Sequence, residues 1–416
     1  MVYDSFDVRK VIGYPFIIFS LIVYIYFLKI NFFPFYLILP YLFFGVVFFL
    51  FEVVKKGLAK KYFFYFFLVL LSLIWASFSY IYNVNSDLFY VKEELVLSLI
   101  FFFSAFTIKK IYKFFDVDFN FKNIIFFSSL ALVFQLIFSL IANFVPAIFN
   151  VVIQLVNIDG LSSDALQNFS EARLVGVGAS FFASGILNSF FLILLAYSIN
   201  FNCDKGKYFF LLSIYIIISI VGILFSRTTI IGILLSSLFF LNYRSLFRIL
   251  LIIVPSLILL LIYGKNLLEA NSQIAFGLDF LFNFKDSQAS SSFGGLKEMY
   301  EILPDNLKTW VLGDAKYKVV SQGGDFLAYY KDTDIGYFRV IFYNGIIGLF
   351  LFFLMTIYIL KKSFYFSRSL FLLLLICFIS LNSKGVANVY FFCFLFFLVD
   401  FSFDKNQLNN DKKVLV

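Results

Sequence analysis

Histidine is absent from this chain of 416 residues. That removes the side chain that titrates nearest neutral pH and the commonest metal ligand. Cysteine is scarce, with three residues, Cys203, Cys377 and Cys393. On the spans assigned below, Cys203 falls in a cytoplasmic loop and the other two fall inside the membrane. None lies in the long outside loop, so no disulfide framework is implied. No Cys/His spacing suits a metal, and neither metal nor cofactor is expected. A GxxxxGK[ST] phosphate loop is missing, so nothing points to ATP hydrolysis. Charge is also sparse, at 14% of residues against about 25% in a soluble domain.

What fills the chain is apolar. Hydrophobic residues make up 62%, where a soluble chain holds about 45–50%, and the mean hydropathy is +0.95. This composition belongs to an all-α, polytopic membrane protein. The 66 Phe and 26 Tyr fit an AT-rich coding sequence and carry no functional reading by number alone. The net charge of +8 reads as membrane topology and not as nucleic-acid binding, because the basic residues mostly flank apolar runs.

A span needs about 20 mostly apolar residues. Twelve are expected, over 11–28, 32–51, 62–82, 89–108, 123–144, 179–200, 208–225, 228–243, 247–263, 336–360, 369–382 and 385–401. The first has no small-residue cleavage site behind it and reads as a retained span. Lys and Arg in the short loops set the orientation. With the N-terminus inside, the inside segments carry twenty Lys and Arg and the short outside connections carry six. Both termini are therefore expected in the cytoplasm.

The chain then divides into four parts. Residues 1–263 hold the first nine spans and an outside loop at 145–178; 264–335 form a large outside loop; 336–401 hold three more spans; 402–416 are a cytoplasmic tail. A loop of some seventy residues is functional or disordered more often than a connector. Helix-like pieces such as FGGLKEMYEIL (293–303), with Trp310, Tyr317, Tyr329 and Tyr330, favour an ordered cap.

Three arginines break the positive-inside pattern, all on the outside face. Arg173 ends the first outside loop, Arg227 sits in the turn between the seventh and eighth spans, and Arg339 lies one turn inside the tenth. Near the bilayer centre an Arg costs about 2.5–3.5 kcal/mol, less at the interface. Each alone is explained equally well by snorkelling. Together they suit a diphosphate, because guanidinium offers a planar fork to phosphate oxygens. Carboxylates accompany them. Asp334 precedes Arg339 and is either a helix N-cap or a general base on a sugar hydroxyl. Glu171, two residues before Arg173, is an ordinary loop charge or a second base. Gly345 and Gly348, like the small residues around 176–185, suit close helix packing. Close packing of the sixth and tenth spans would bring Arg173 and Arg339 together.

The pattern D-x-G-[YF]-x-R-x5-G-x2-G, carried by Asp334, Gly336, Tyr337, Arg339, Gly345 and Gly348, completes a resemblance. With a dozen spans, a long outside loop before a late span, and an Ser-Arg turn after the seventh, the chain resembles the O-antigen polymerases of the Wzy type. It departs from the family spacing of an Arg, ten residues and a Gly: Gly185 comes one residue late after Arg173, and Arg339 does not match either. The resemblance implies a GT-C-like architecture in a bacterial inner membrane, with the long loop in the periplasm. It implies metal-independent glycosyl transfer that joins undecaprenyl-diphosphate-linked repeat units into O-antigen polysaccharide. Arg173, Arg227 and Arg339 would hold the diphosphate, and Asp334 or Glu171 would take the acceptor proton. Trp310, Tyr329 and Tyr330 would grip sugar rings, unless they are loop core or interfacial anchors. Lipid-linked oligosaccharide and membrane lipid are the expected partners, with room for a chain-length regulator protein and none for nucleic acid.

Two other activities fit the same outline. An O-antigen ligase shares the arginines and the loop, but is expected to carry a functional His there, and this chain has none. A lipid-linked oligosaccharide flippase would also have about twelve spans, but with short loops and charges inside the bundle. Here the spans read as nearly charge-free and the polar mass lies outside. A non-catalytic partner of a polysaccharide assembly complex is a further alternative.

Overall fold

Long apolar runs fold as helices in lipid because a helix satisfies its backbone groups without water. A computed structural model of the protein describes residues 8–30, 35–155, 174, 182–201, 205–241, 297–320, 327–388 and 390–399. Its helices are α1 (Val8–Tyr26), α2 (Leu39–Lys56), α3 (Lys60–Tyr82), α4 (Phe89–Phe114), α5 (Phe121–Phe144), α6 (Pro146–Leu155), α7 (Phe182–Phe201), α8 (Tyr208–Phe225), α9 (Thr229–Ser237), α10 (Leu307–Leu312), α11 (Gly336–Ser363), α12 (Arg368–Asn382) and α13 (Tyr390–Phe397). Every expected span except 247–263 meets one of these helices; that segment lies outside the described residues.

Seven of the described helices, α1, α3, α4, α5, α7, α8 and α11, are long and apolar enough to cross a membrane. The chain is an all-α, multi-pass membrane protein. α2 has the length, but Glu52, Lys55 and Lys56 fall in its last two turns. α9 has nine residues before a 3-10 turn at Leu238–Phe240, α12 has fifteen and α13 has eight. Local chemistry sets several starts. Asn120, Asn306 and Ser367 each accept an amide N–H at the head of α5, α10 and α12, the standard N-cap device.

α7 is the central helix, with 89% of its apolar window buried, against 33% for α3 and α8. Its main neighbours are α8, α9 and α12, while α4 packs on α2, α3 and α13. Aromatic rings fill the space between α3 and α4. Tyr65 stacks on Phe102 with ring centres 5.0 Å apart, and its hydroxyl donates to the Ser98 carbonyl at 2.7 Å. The amphipathic ring fills volume and still satisfies its polar end.

The bundle has two unlike ends. At one, Lys55, Lys56, Lys109, Lys110 and Lys113 line a single depression, and Arg9 at the head of α1 pairs with Asp116 at 2.9 Å. At the other, residues 297–320 and 327–335 form a cap. Residues 297–301 of the helix-like piece are helical, and the cap adds α10 and a hairpin of β1 (Lys318–Val320) and β2 (Leu327–Tyr329). The two strands are antiparallel, with Lys318 opposite Tyr329.

Candidate functional site

The cap is held by hydrogen bonds that its own sequence does not reveal. Asn306 starts α10, and Gly313 ends it at a φ of +79°. Ser79, near the end of α3, donates to the carbonyls of Leu312 and Tyr343, each at 2.8 Å. Asn83 donates to the Gly313 carbonyl at 3.1 Å. Asp87, at the head of α4, makes the strongest link. Its carboxylate accepts from the amides of Tyr317 at 2.5 Å, Lys318 at 3.1 Å and Phe89 at 3.0 Å. Its amide donates to the Ala315 carbonyl, and its carbonyl accepts from the Tyr343 hydroxyl. Hydrogen bonds to a charged acceptor are the strong kind.

The same segment inserts against a break in α11. Gly345 takes φ +67° and ψ −172° in the middle of the helix. A Cβ there would stand 2.1 Å from the Val311 carbonyl oxygen, so α10 and α11 meet backbone to backbone. The carbonyls released by the break find new donors. Phe342 accepts from the Asp314 amide at 2.6 Å, Tyr343 from the Ala315 amide at 3.1 Å, and Asn344 from the Trp75 indole at 2.8 Å. Broken backbone at this depth persists only where protein replaces water as partner. The packing role expected for Gly345 holds, with α10 as the neighbour, and its positive φ is a second reason for a glycine.

Arg339 sits one turn into α11, on the cap side of the break. Its guanidinium carbon lies 3.4 Å from the centre of the Tyr329 ring and 4.7 Å from that of Tyr317. Nη2 donates to the Tyr317 hydroxyl at 2.6 Å. The paired strands bring both rings to one guanidinium, nearly perpendicular to each other at 73° with centres 6.0 Å apart, and the Tyr330 amide extends the pairing to the Tyr317 carbonyl at 3.1 Å. Burial pushes the Tyr317 phenol far above its ordinary range, so it faces the guanidinium as a neutral hydroxyl. The exposed Glu93 on α4 lies within electrostatic reach of Arg339 and Lys318, without an ion pair to either. Nε of Arg339 is buried and has no hydrogen-bond partner. The place therefore combines two cations, one nearby carboxylate, two aromatic rings and one unused donor. Such groups can bind an anion and stack against a ring.

The other expected residues are distributed unevenly. Glu171 and Arg173 lie outside the described residues. Arg227 occupies the turn between α8 and α9 and is half-buried. Asp334 is exposed and lies within electrostatic reach of Arg339. It does not cap α11: the N-cap is Ile335, and no side chain closes it. Of the cap aromatics, Tyr329 belongs to the site itself. Tyr330 turns to Asp314, donating at 3.3 Å, and meets Phe342 edge-on. Trp310 is half-buried on α10.

Close packing of the sixth on the tenth span is also corrected. α7 reaches α11 through the turn that follows α12. A Cβ on Gly185 would meet the Thr228 and Ser226 hydroxyls at 2.1 and 2.6 Å. One on Gly385 would meet the Phe182 ring at 2.5 Å, and one on Gly336 would meet the Gly385 carbonyl at 2.4 Å. This series links the Arg227 turn to the head of α11 on one end of the bundle. Small residues put these backbones in contact.

The fourth span is not charge-free, and this is what the sequence reading missed. Glu93 lies within electrostatic reach of Arg339, and Glu94, 4% exposed, points into the bundle with the Ser72 hydroxyl 3.4 Å away. Two adjacent carboxylates in the second turn of a span were the available signal, since intramembrane charges are costly and functional by default. Among the described residues no group of three metal-binding side chains occurs. A scan of family models returns no match, and none is found among curated proteins or solved structures.

Proposed function

We propose that this protein is a membrane glycan polymerase of the Wzy type, joining undecaprenyl-diphosphate-linked repeat units at the capped end of its bundle. The observation that supports this most directly is Arg339, clasped by two tyrosines, within electrostatic reach of Glu93, and left with an unused buried Nε donor. In this reading the capped end faces the periplasm, the termini lie in the cytoplasm of an inner-membrane protein, and the full chain makes twelve spans of GT-C-like architecture.

The chemistry follows from the groups present. A diphosphate leaves readily once its charge is neutralised, and fixed cations in a water-poor site do this well. Arg339, Lys318 and, from the turn between α8 and α9, Arg227 supply that charge. Glu93, within electrostatic reach of Arg339, is the base that removes the proton from the acceptor hydroxyl. The oxygen bonds to the donor's anomeric carbon as the bond to the diphosphate breaks, and the anomeric configuration inverts. Tyr329 offers a ring face beside the reacting sugar. Asp334 competes with Glu93 for the base role.

The test is the lipopolysaccharide ladder of a strain that depends on this protein. Arg173→Ala, Arg227→Ala and Arg339→Ala are expected to insert normally and leave lipopolysaccharide bearing a single repeat unit. Normal ladders in all three sink the proposal. Glu93→Gln and Asp334→Asn separate the two bases: the true base loses polymer, the other keeps it. One observation favours a second reading. Glu94 is a carboxylate inside the bundle, which is the mark of a transport path, and a flippase would show as loss of all surface glycan, single-repeat product included.

A further inference from the structure

At the lysine-bearing end, away from the cap, α1, α2 and α4 leave an apolar cavity of about 800 Å³ between them. Its walls are rings, chiefly Phe16, Phe44, Phe48 and Phe114. The neutral polar groups in it are already used. The Thr107 hydroxyl donates to the Tyr41 carbonyl at 2.6 Å, and the Tyr41 hydroxyl donates to Ser20 at 3.1 Å. What remains is two ammonium groups, Lys110 and Lys113, at the rim. Lys110 stands 5.6 Å from the centre of the Phe48 ring, and both lysines are exposed.

These two lysines are shared with a second depression, of about 630 Å³, which also holds Lys55, Lys56 and Lys109. Its carboxylates are Glu52, Asp116 and Asp118. Glu52 lies 3.9 Å from Lys109, and Asp116 is engaged by Arg9 at 2.9 Å. The lysines outnumber the carboxylates, so the depression keeps positive charge beside a greasy slot whose rings Phe16, Phe44 and Phe114 are exposed.

We propose that this pair of cavities is a binding site for an anionic phospholipid of the lysine-bearing leaflet. One acyl chain lies between the phenyl rings, and the phosphate rests on Lys110 and Lys113. Charge complementarity selects the occupant: an uncharged lipid gains nothing from the ammonium groups, and a water-soluble anion gains nothing from the slot. Basic pockets between helices on the cytoplasmic side hold anionic headgroups by this means. The site is independent of the chemistry at the other end.

Native mass spectrometry of the full protein in a nonionic detergent at low salt tests it. The probes are phosphatidylglycerol and phosphatidylcholine with identical chains. The native protein is expected to retain the anionic lipid about 25-fold better, since each of the two lysines near a lipid surface adds roughly a fivefold preference. Lys110→Gln/Lys113→Gln brings the ratio to within about twofold, while Lys110→Arg/Lys113→Arg keeps it and shows that the site still folds. Lys361→Gln/Lys362→Gln lowers the total charge equally and leaves the ratio intact. Equal retention of the two lipids by the native protein overturns the proposal. So does an undiminished preference in the glutamine pair, an equal loss in the Lys361/Lys362 control, or stronger retention of a polyprenyl phosphate.

Discussion

Asp87 is the residue through which the bundle holds its cap, and replacing it by alanine tests how the site is assembled. Its carboxylate takes two amides of the cap, Tyr317 and Lys318, and one of its own helix, Phe89. Hydrogen bonds to a charged group contribute about 1.5–3 kcal/mol each. Asp87 is half-exposed, and water takes over part of what is lost, so the lower end applies. The two cap bonds then sum to roughly 3 kcal/mol of local docking free energy. At about 1.4 kcal/mol per factor of ten, that is about a hundredfold. Amide exchange followed by mass spectrometry reads this directly: in Asp87→Ala the amides at 315–318 lose about a hundredfold in protection, while those of α12 do not change. The Tyr317 ring then slackens against Arg339, and polymer length falls with it. Unchanged exchange at Tyr317 and Lys318 refutes the assignment, because it would mean that Ser79 and Asn83 hold the cap unaided.

Three further outcomes are expected. Gly345→Ala forces an L side chain into positive φ, at about 1–2 kcal/mol, and drives a Cβ into the Val311 carbonyl; the thermal midpoint in detergent drops by several degrees, while Gly206→Ala, with open space around it, does not move it. Arg339→Lys keeps the charge but loses the planar face and the fork; activity falls at least tenfold in a purified polymerisation assay, with thermal stability near native, and full activity in the lysine variant would show that charge alone suffices. EDTA leaves activity unchanged in purified vesicles; inhibition that a divalent ion reverses would overturn the metal-free chemistry.

Helices were legible because lipid imposes a single solution on an apolar run: eleven of the twelve expected segments meet a described helix, and seven of the described helices are long and apolar enough to cross a membrane. Arg339 was legible for the same reason: a guanidinium on a hydrophobic helix is costly enough to stand out. Less of the site could be read. Asp334 precedes the helix as an N-cap residue would, yet Ile335 holds that position with no side-chain bond. Gly345 sits at helical spacing from its neighbours, and only the arrival of α10 shows that the helix breaks there. Glu93 and Glu94 look like interfacial charges until the fold brings one within electrostatic reach of Arg339 and turns the other inward.

The sequence by itself determined that this chain is a multi-pass helical membrane protein with a polar mass on one end and lysines on the other. Hydrophobic length and charge bias are local quantities, and they act span by span. Only the tertiary structure decided which residues meet. Asp87 and Tyr317 are 230 positions apart, and Arg339 meets rings supplied by a hairpin on another segment. Pairings at that distance depend on loop closure and backbone approach, which leave no periodic trace in the chain.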